Sequence, residues 1–142
     1  MRWLSKLLGA EEEEPPPETQ QLVKLTGTGD FLLNVVGESF YQDTLENICG
    51  GRTEDGENLI VDAILFHQDS NPHDDMAIAV TIKGDLVGHL SRENARQYRQ
   101  KLMEAGFAGH PAVCKAKVIG GWDRGGNDRG HFGVKLDLPI SD

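Results

Sequence analysis

From Asn71 to Ala105 the chain dictates a strict order of local structure, and few folds accept that order. Asn71-Pro72 sets a turn, because the proline ring fixes its own φ and biases the preceding residue away from helix. Met76 to Ile82 then reads as a strand rich in β-formers, and Lys83-Gly84-Asp85 as a tight hairpin turn. Leu86 to Leu90 is the returning strand. Ser91 caps the one substantial helix, expected through Ala105, with Ala95, Tyr98, Leu102 and Met103 on its buried side and Arg92, Arg96 and Arg99 on other faces.

The rest of the chain supplies further short strands. Phe31 to Val36 is strand-like and ends at Gly37. Ser39 is placed to cap a short helix over Tyr41 to Ile48, with Leu45 and Ile48 inward and Gly50-Gly51 as its stop. Residues 52–58 read as a polar loop. Leu59 to Phe66 is an apolar run interrupted by Asp62, which suggests a strand near a rim. Ala112 to Ile119 alternates like a half-exposed strand, Gly120 to Gly130 is a glycine-rich loop holding Trp122, Arg124 and Arg129, and His131 to Leu138 closes as the last strand. The fold class expected is mainly β (α+β): a small curled sheet or partly open barrel, with one main helix and one short helix covering its ends. At 142 residues and 38% apolar content there is enough for one such core.

Residues 1–30 read as a separate, flexible tip and linker, leaving 31–142 as the domain. Trp3, Leu4, Leu7 and Leu8 fall on one helical face, and Glu11–Glu14 with Pro15–Pro17 forms a spacer that resists helix and sheet. A helix this short orders only by docking onto something. Arg2 and Lys6 are the tip's only basic residues, so stable membrane association is not expected. Cys49 and Cys114 lie far apart with no CxxC, the usage of reduced thiols in a cytoplasmic protein.

The formal charge of −9 speaks against a polyanionic partner, but it is unevenly spread. Phe31 to Asp85 holds two Lys/Arg against eleven Asp/Glu, a net −9, while Leu86 to Lys135 holds nine against four, a net +5. A phosphate backbone responds to the local field, so the second half can act as a footprint; a solvated basic helix face would carry the same charges. The sequence has no nucleophile elbow, HExxH, GxxxxGK or GxGxxG element, so neither an enzyme nor a nucleotide cofactor is expected. His67, Asp69, His73, Asp74 and Asp75 crowd together, but their spacing across a turn is unspecific, and no metal is expected.

Binding residues are easier to nominate. Phe40, Tyr41, His73 and Trp122 can stack on bases, and Tyr41 is the better choice for exposure because its hydroxyl needs a polar partner. Asn71 and Asp74 can hold the turn they sit in, or Asp74 can accept a bond from a nucleotide hydroxyl or base N–H. His89 reads as a satisfied rim histidine. Arg92 can reach a phosphate at the helix N-terminus.

The elements VVGESFYQ, DSNPHDDMAIAV, LVGHLSRENA, VIGGW and HFGVKLDL follow one another as in the HIRAN family, and the chain resembles a stand-alone bacterial HIRAN domain from about Phe31 to Leu138. The resemblance implies an OB-like barrel with a pocket for the 3′ end of single-stranded DNA, in DNA repair or processing. It places Ser39, Phe40 and Tyr41 at the clamp on the terminal nucleotides, Asn71, His73 and Asp74 in the conserved-type turn, and His89 and Arg92 beside it. Ser39 stands where the family's clamp has an arginine, and His73 where it has a tyrosine. Any remodelling would need a helicase or nuclease partner. The alternative is a protein-interaction adaptor that uses the barrel groove or the N-terminal segment.

Overall fold

Period-two alternation decides where each strand puts its side chains. A computed structural model of the chain describes residues 22–140. The tip residues Trp3, Leu4, Leu7 and Leu8 and the spacer lie outside it. Seven strands form one sheet: β1 (Val23–Lys24), β2 (Leu33–Asn34), β3 (Glu57–Gln68), β4 (Ala77–Ile82), β5 (Asp85–His89), β6 (Ala112–Gly120) and β7 (Phe132–Asp137). Among the described residues two α-helices accompany them, α1 (Gln42–Cys49) and α2 (Arg92–Glu104). The main path runs β2-β7-β6-β3-β4-β5, and β1 adds to β6 in parallel. No helix among the described residues is long and apolar enough to cross a membrane.

The ends of that path meet. Val36, just past β2, exchanges both backbone bonds with His89 at the end of β5, at 2.8 and 2.9 Å. The result is a mainly β, OB-like barrel held shut on that side by one bridge pair. Gly88 permits the approach, since a Cβ there would run into Val35 and the Val36 carbonyl. The hairpin from β4 to β5 turns on Lys83 and Gly84, both at positive φ (54° and 84°), as a two-residue type I′ turn requires. Inside lie Leu33, Leu65, Val80, Val118, Val134 and Leu136, all 2% exposed or less. β4 is buried on both faces, with α2 lying across its outer one.

Several expectations need correction. Asp62 is not near a rim: it sits mid-strand on the outer face of β3, opposite Lys115, with Nζ and Oδ1 2.8 Å apart. Ser39 caps nothing. Gly37, at φ 79°, turns the chain into a 3-10 segment over Glu38–Tyr41 before α1 begins. The Gln42 side chain does the anchoring, donating to the Glu38 and Phe132 carbonyls at 2.9 and 3.0 Å and accepting from Phe132 N at 2.7 Å. Met103 is 54% exposed, not core. The sheet also begins before Phe31: Val23 and Lys24 pair with Ala112 and Val113, and Gly29 N donates to Asp137 Oδ1 at 2.9 Å.

Candidate functional site

The Asn-Pro turn is built from its own side chains first. Asn71 Oδ1 accepts from His73 N at 2.8 Å and Asp74 N at 3.3 Å, an Asx turn. Asn71 Nδ2 and His89 Nε2 both reach Gln68 Oε1, at 3.0 and 2.9 Å. The oxygen only accepts, so His89 carries its proton on Nε2. Half-burial of His89 costs its charged form hydration and lowers its pKa from the ordinary 6.5.

Helix α2 then clamps the turn. Arg92, Arg96 and Arg99, spaced at four and three and off the helix's buried side, form one stripe over residues 69–77. Arg92 Nη2 donates to the His73 carbonyl at 2.7 Å. Arg96 grips both carboxylate oxygens of Asp74 at 3.2 Å each. Arg99 donates to the Met76 and Ala77 carbonyls at 2.7 and 3.1 Å and pairs with Asp69 at 3.0 Å. Asp74 accepts from Met76 N as well, at 3.0 Å, and its side chain is only 10% exposed. The hydrogen bond from Arg96, with that from the Met76 N–H, holds the Asp74 carboxyl below its ordinary pKa. Asp74 is therefore a latch between turn and helix.

The crowd of acids and histidines is accounted for in the same way. Asp69 and Asp74 are paired with arginines, and among the described residues no group of three or more His, Cys, Asp or Glu converges as metal ligands would. His67 stands apart in β3, its pKa lowered by burial and by Arg99.

The aromatics divide. Phe40 is 85% exposed on the 3-10 segment, four residues beyond Val36 of the closing bridge, while Tyr41 is half-buried. The order of exposure is the reverse of that expected for the pair. Ser39 is exposed and lines an open groove of about 500 Å³ with Asn34, His131 and Trp122. Trp122 is already engaged: its Nε1 donates to Asp128 at 3.1 Å, its ring rests on the Gly130 backbone, and Arg124 lies 5.4 Å from the ring centre. With the Asp123–Arg129 pair at 3.3 Å, these contacts make Gly120–Gly130 a laced loop.

The structure thus ties Asn71, His73, Asp74 and Arg92 together through the turn, and joins His89 to Asn71 through Gln68. Phe40 and Tyr41 sit on a 3-10 segment that touches both β5, which ends at His89, and β7, while Ser39 and Trp122 line a groove of their own. Gln68, Arg96 and Arg99 were not nominated; the arginine spacing on a Ser-capped helix was the available signal. Comparison of the chain with protein-family models, characterised proteins and solved structures gave no match.

Proposed function

We propose that this chain is a HIRAN-like, non-enzymatic module that binds the 3′ end of a single DNA strand at the rim where the barrel closes. The reading is carried by Phe40, an aromatic ring 85% exposed on an anchored segment. Phe40 and Arg92 lie within four residues of the two partners in the closing bridge, Val36 and His89. A base stacked on such a ring gains about 1–3 kcal/mol without regard to sequence. Arg92, whose side chain is 71% exposed, keeps a face open to a phosphate while it holds the His73 carbonyl. The exposed His73 ring offers a second, smaller face. In this reading Asp74 positions Arg96 and the turn, and does not clasp the terminal sugar.

The test is fluorescence anisotropy at low salt, with short strands ending in a 3′-hydroxyl or a 3′-phosphate and with a blunt duplex. A preference for the free 3′-hydroxyl is expected. Phe40→Ala should weaken binding by roughly 5- to 150-fold, the equivalent of one lost stack. Arg92→Ala should flatten the salt dependence by about 0.7, one phosphate on a single strand. Binding unaffected by Phe40→Ala would overturn the site. Failure of all three ligands would overturn the function and leave exposed Phe40 as a contact for a protein partner, the adaptor role.

A further inference from the structure

A second recess lies at the C-terminal end of α2, and nothing in the site above uses it. Val23, Leu25, Leu102, Phe107, Leu138 and Ile140 line an apolar groove of about 260 Å³ between β1, the C-terminal turn of α2 and the segment after β7. A neighbouring recess of about 290 Å³ shares Val23, Lys24 and Phe107 with it and includes Leu22. Phe107 is 42% exposed at this junction. The exposed side chains of Lys24 and Lys101 border the apolar floor.

We propose that this groove holds residues 3–8 of the same chain. Three observations select that occupant over others. The chain enters the described fold at Leu22, which itself lines the connected recess, so the preceding residues leave from the groove's edge. Thirteen residues separate Leu8 from Leu22, a reach of up to about 45 Å, several times what folding back requires. Tethering at that length supplies an effective concentration on the order of millimolar, which a weak apolar contact needs.

Pattern and charge agree with the tether. Trp3, Leu4, Leu7 and Leu8 make one apolar face if the segment is helical, matching a floor of aliphatic and aromatic carbon. Behind them Glu11–Glu14 supplies four carboxylates for the bordering Lys24 and Lys101. A helix too short to stand alone in water gains its order from such a dock. The groove would then be the reason that an apolar tip and an acidic run sit together in front of the domain.

The experiment uses the full chain with 5-fluorotryptophan at both tryptophans, Trp3 and Trp122. Trp3→Phe identifies the Trp3 fluorine resonance, and the Trp122 resonance reports that the domain is folded. The Trp3 resonance should be displaced from that of a synthetic peptide of residues 1–21, with most of its solvent isotope shift lost. Phe107→Ala, or Leu7→Ser, should return it to the peptide's position while Trp122 stays put. Replacing Glu11–Glu14 by Gln should move it part of the way. The proposal fails if Trp3 in the unaltered chain matches the peptide, or if its displacement survives Phe107→Ala. It also fails if the displacement grows with protein concentration, since that would put the tip in a second copy's groove.

Discussion

Arg99→Met separates two accounts of what holds the 69–77 turn against the helix. In the first, the Arg99–Asp69 ion pair at 3.0 Å does the holding; in the second, the work is done by capture of the Met76 and Ala77 carbonyls. Their sizes differ. Asp69 is 74% exposed, and an ion pair with one partner so wet contributes roughly 0–1 kcal/mol. Arg99 is 17% exposed and donates to two backbone carbonyls, each bond from a charged donor being worth about 1.5–3 kcal/mol. Because one side chain makes both bonds, their loss should total about 2–4 kcal/mol. Met keeps the stem's packing and the helix propensity. Urea unfolding followed by circular dichroism should show the unfolding free energy falling by that amount, read as a lower midpoint at constant slope, against a change near zero for Asp69→Ala. Equal small losses for the two variants would refute carbonyl capture, and with it the argument that α2 shapes the turn through its arginines.

Gly88→Ala drives a methyl into the Val36 carbonyl and Val35, and overpacking against backbone should cost roughly 1–3 kcal/mol and release the protection of the Val36 and His89 amides in hydrogen exchange. His67 and His89 both have pKa values lowered from 6.5, so the unfolded chain takes up protons first as pH falls below that value. Stability should therefore be full above about pH 7 and decline toward pH 5, and His67→Gln with His89→Gln should flatten that slope in denaturation curves. Burial raises the Cys49 thiol to about 11 and Cys114 to about 12. Native alkylation at pH 8 should be slow at both, with Cys49 modified first because it is partly exposed, and Cys114 reacting only on unfolding.

What the residues announced in advance follows the range of the forces involved. β4, the Lys83-Gly84 turn, β5 and the Ser91 cap rest on neighbours within four positions, and Ser91 Oγ does accept from Asn94 N at 3.1 Å. The Gly50-Gly51 stop is equally local, with Gly51 N bonded to the Glu46 carbonyl at 2.9 Å. β1 escaped because two residues carry no period, and its partner lies some ninety positions away at Ala112. The Ser39 cap failed because Gly37 and Gln42 offered the chain another way to start α1, one that also ties it to Phe132. The arginine stripe was visible as spacing, but nothing local shows that its targets are main-chain carbonyls and a carboxylate in a turn some twenty positions upstream, with Arg99 reaching the Met76 and Ala77 carbonyls. Trp122 was legible as an aromatic in a glycine-rich loop, but the Asp128 bond and the Gly130 backbone that fix its ring come from the loop's own fold.

The internal use of cations also limits what the proposed site can be. The net +5 of Leu86 to Lys135 promised a phosphate footprint. In the fold, Arg96 and Arg99 face Asp74 and Asp69, Lys115 faces Asp62, Arg129 faces Asp123, and Arg124 lies near Asp128. Such pairs present little field to a distant polyanion. Counterion release along a strand needs many free cations, and these pairs leave fewer of them than the net charge suggests among the described residues. What remains at the rim is a ring, a half-open guanidinium and a turn whose shape is over-determined by hydrogen bonds. Those parts suit recognition of a strand's terminus, where few phosphates are present and stacking supplies most of the affinity. The prediction is quantitative: lengthening the oligonucleotide beyond a few nucleotides should leave the affinity unchanged. A steady gain with length in anisotropy titrations would mean that the strand tracks along a basic surface, and would refute recognition confined to the terminus.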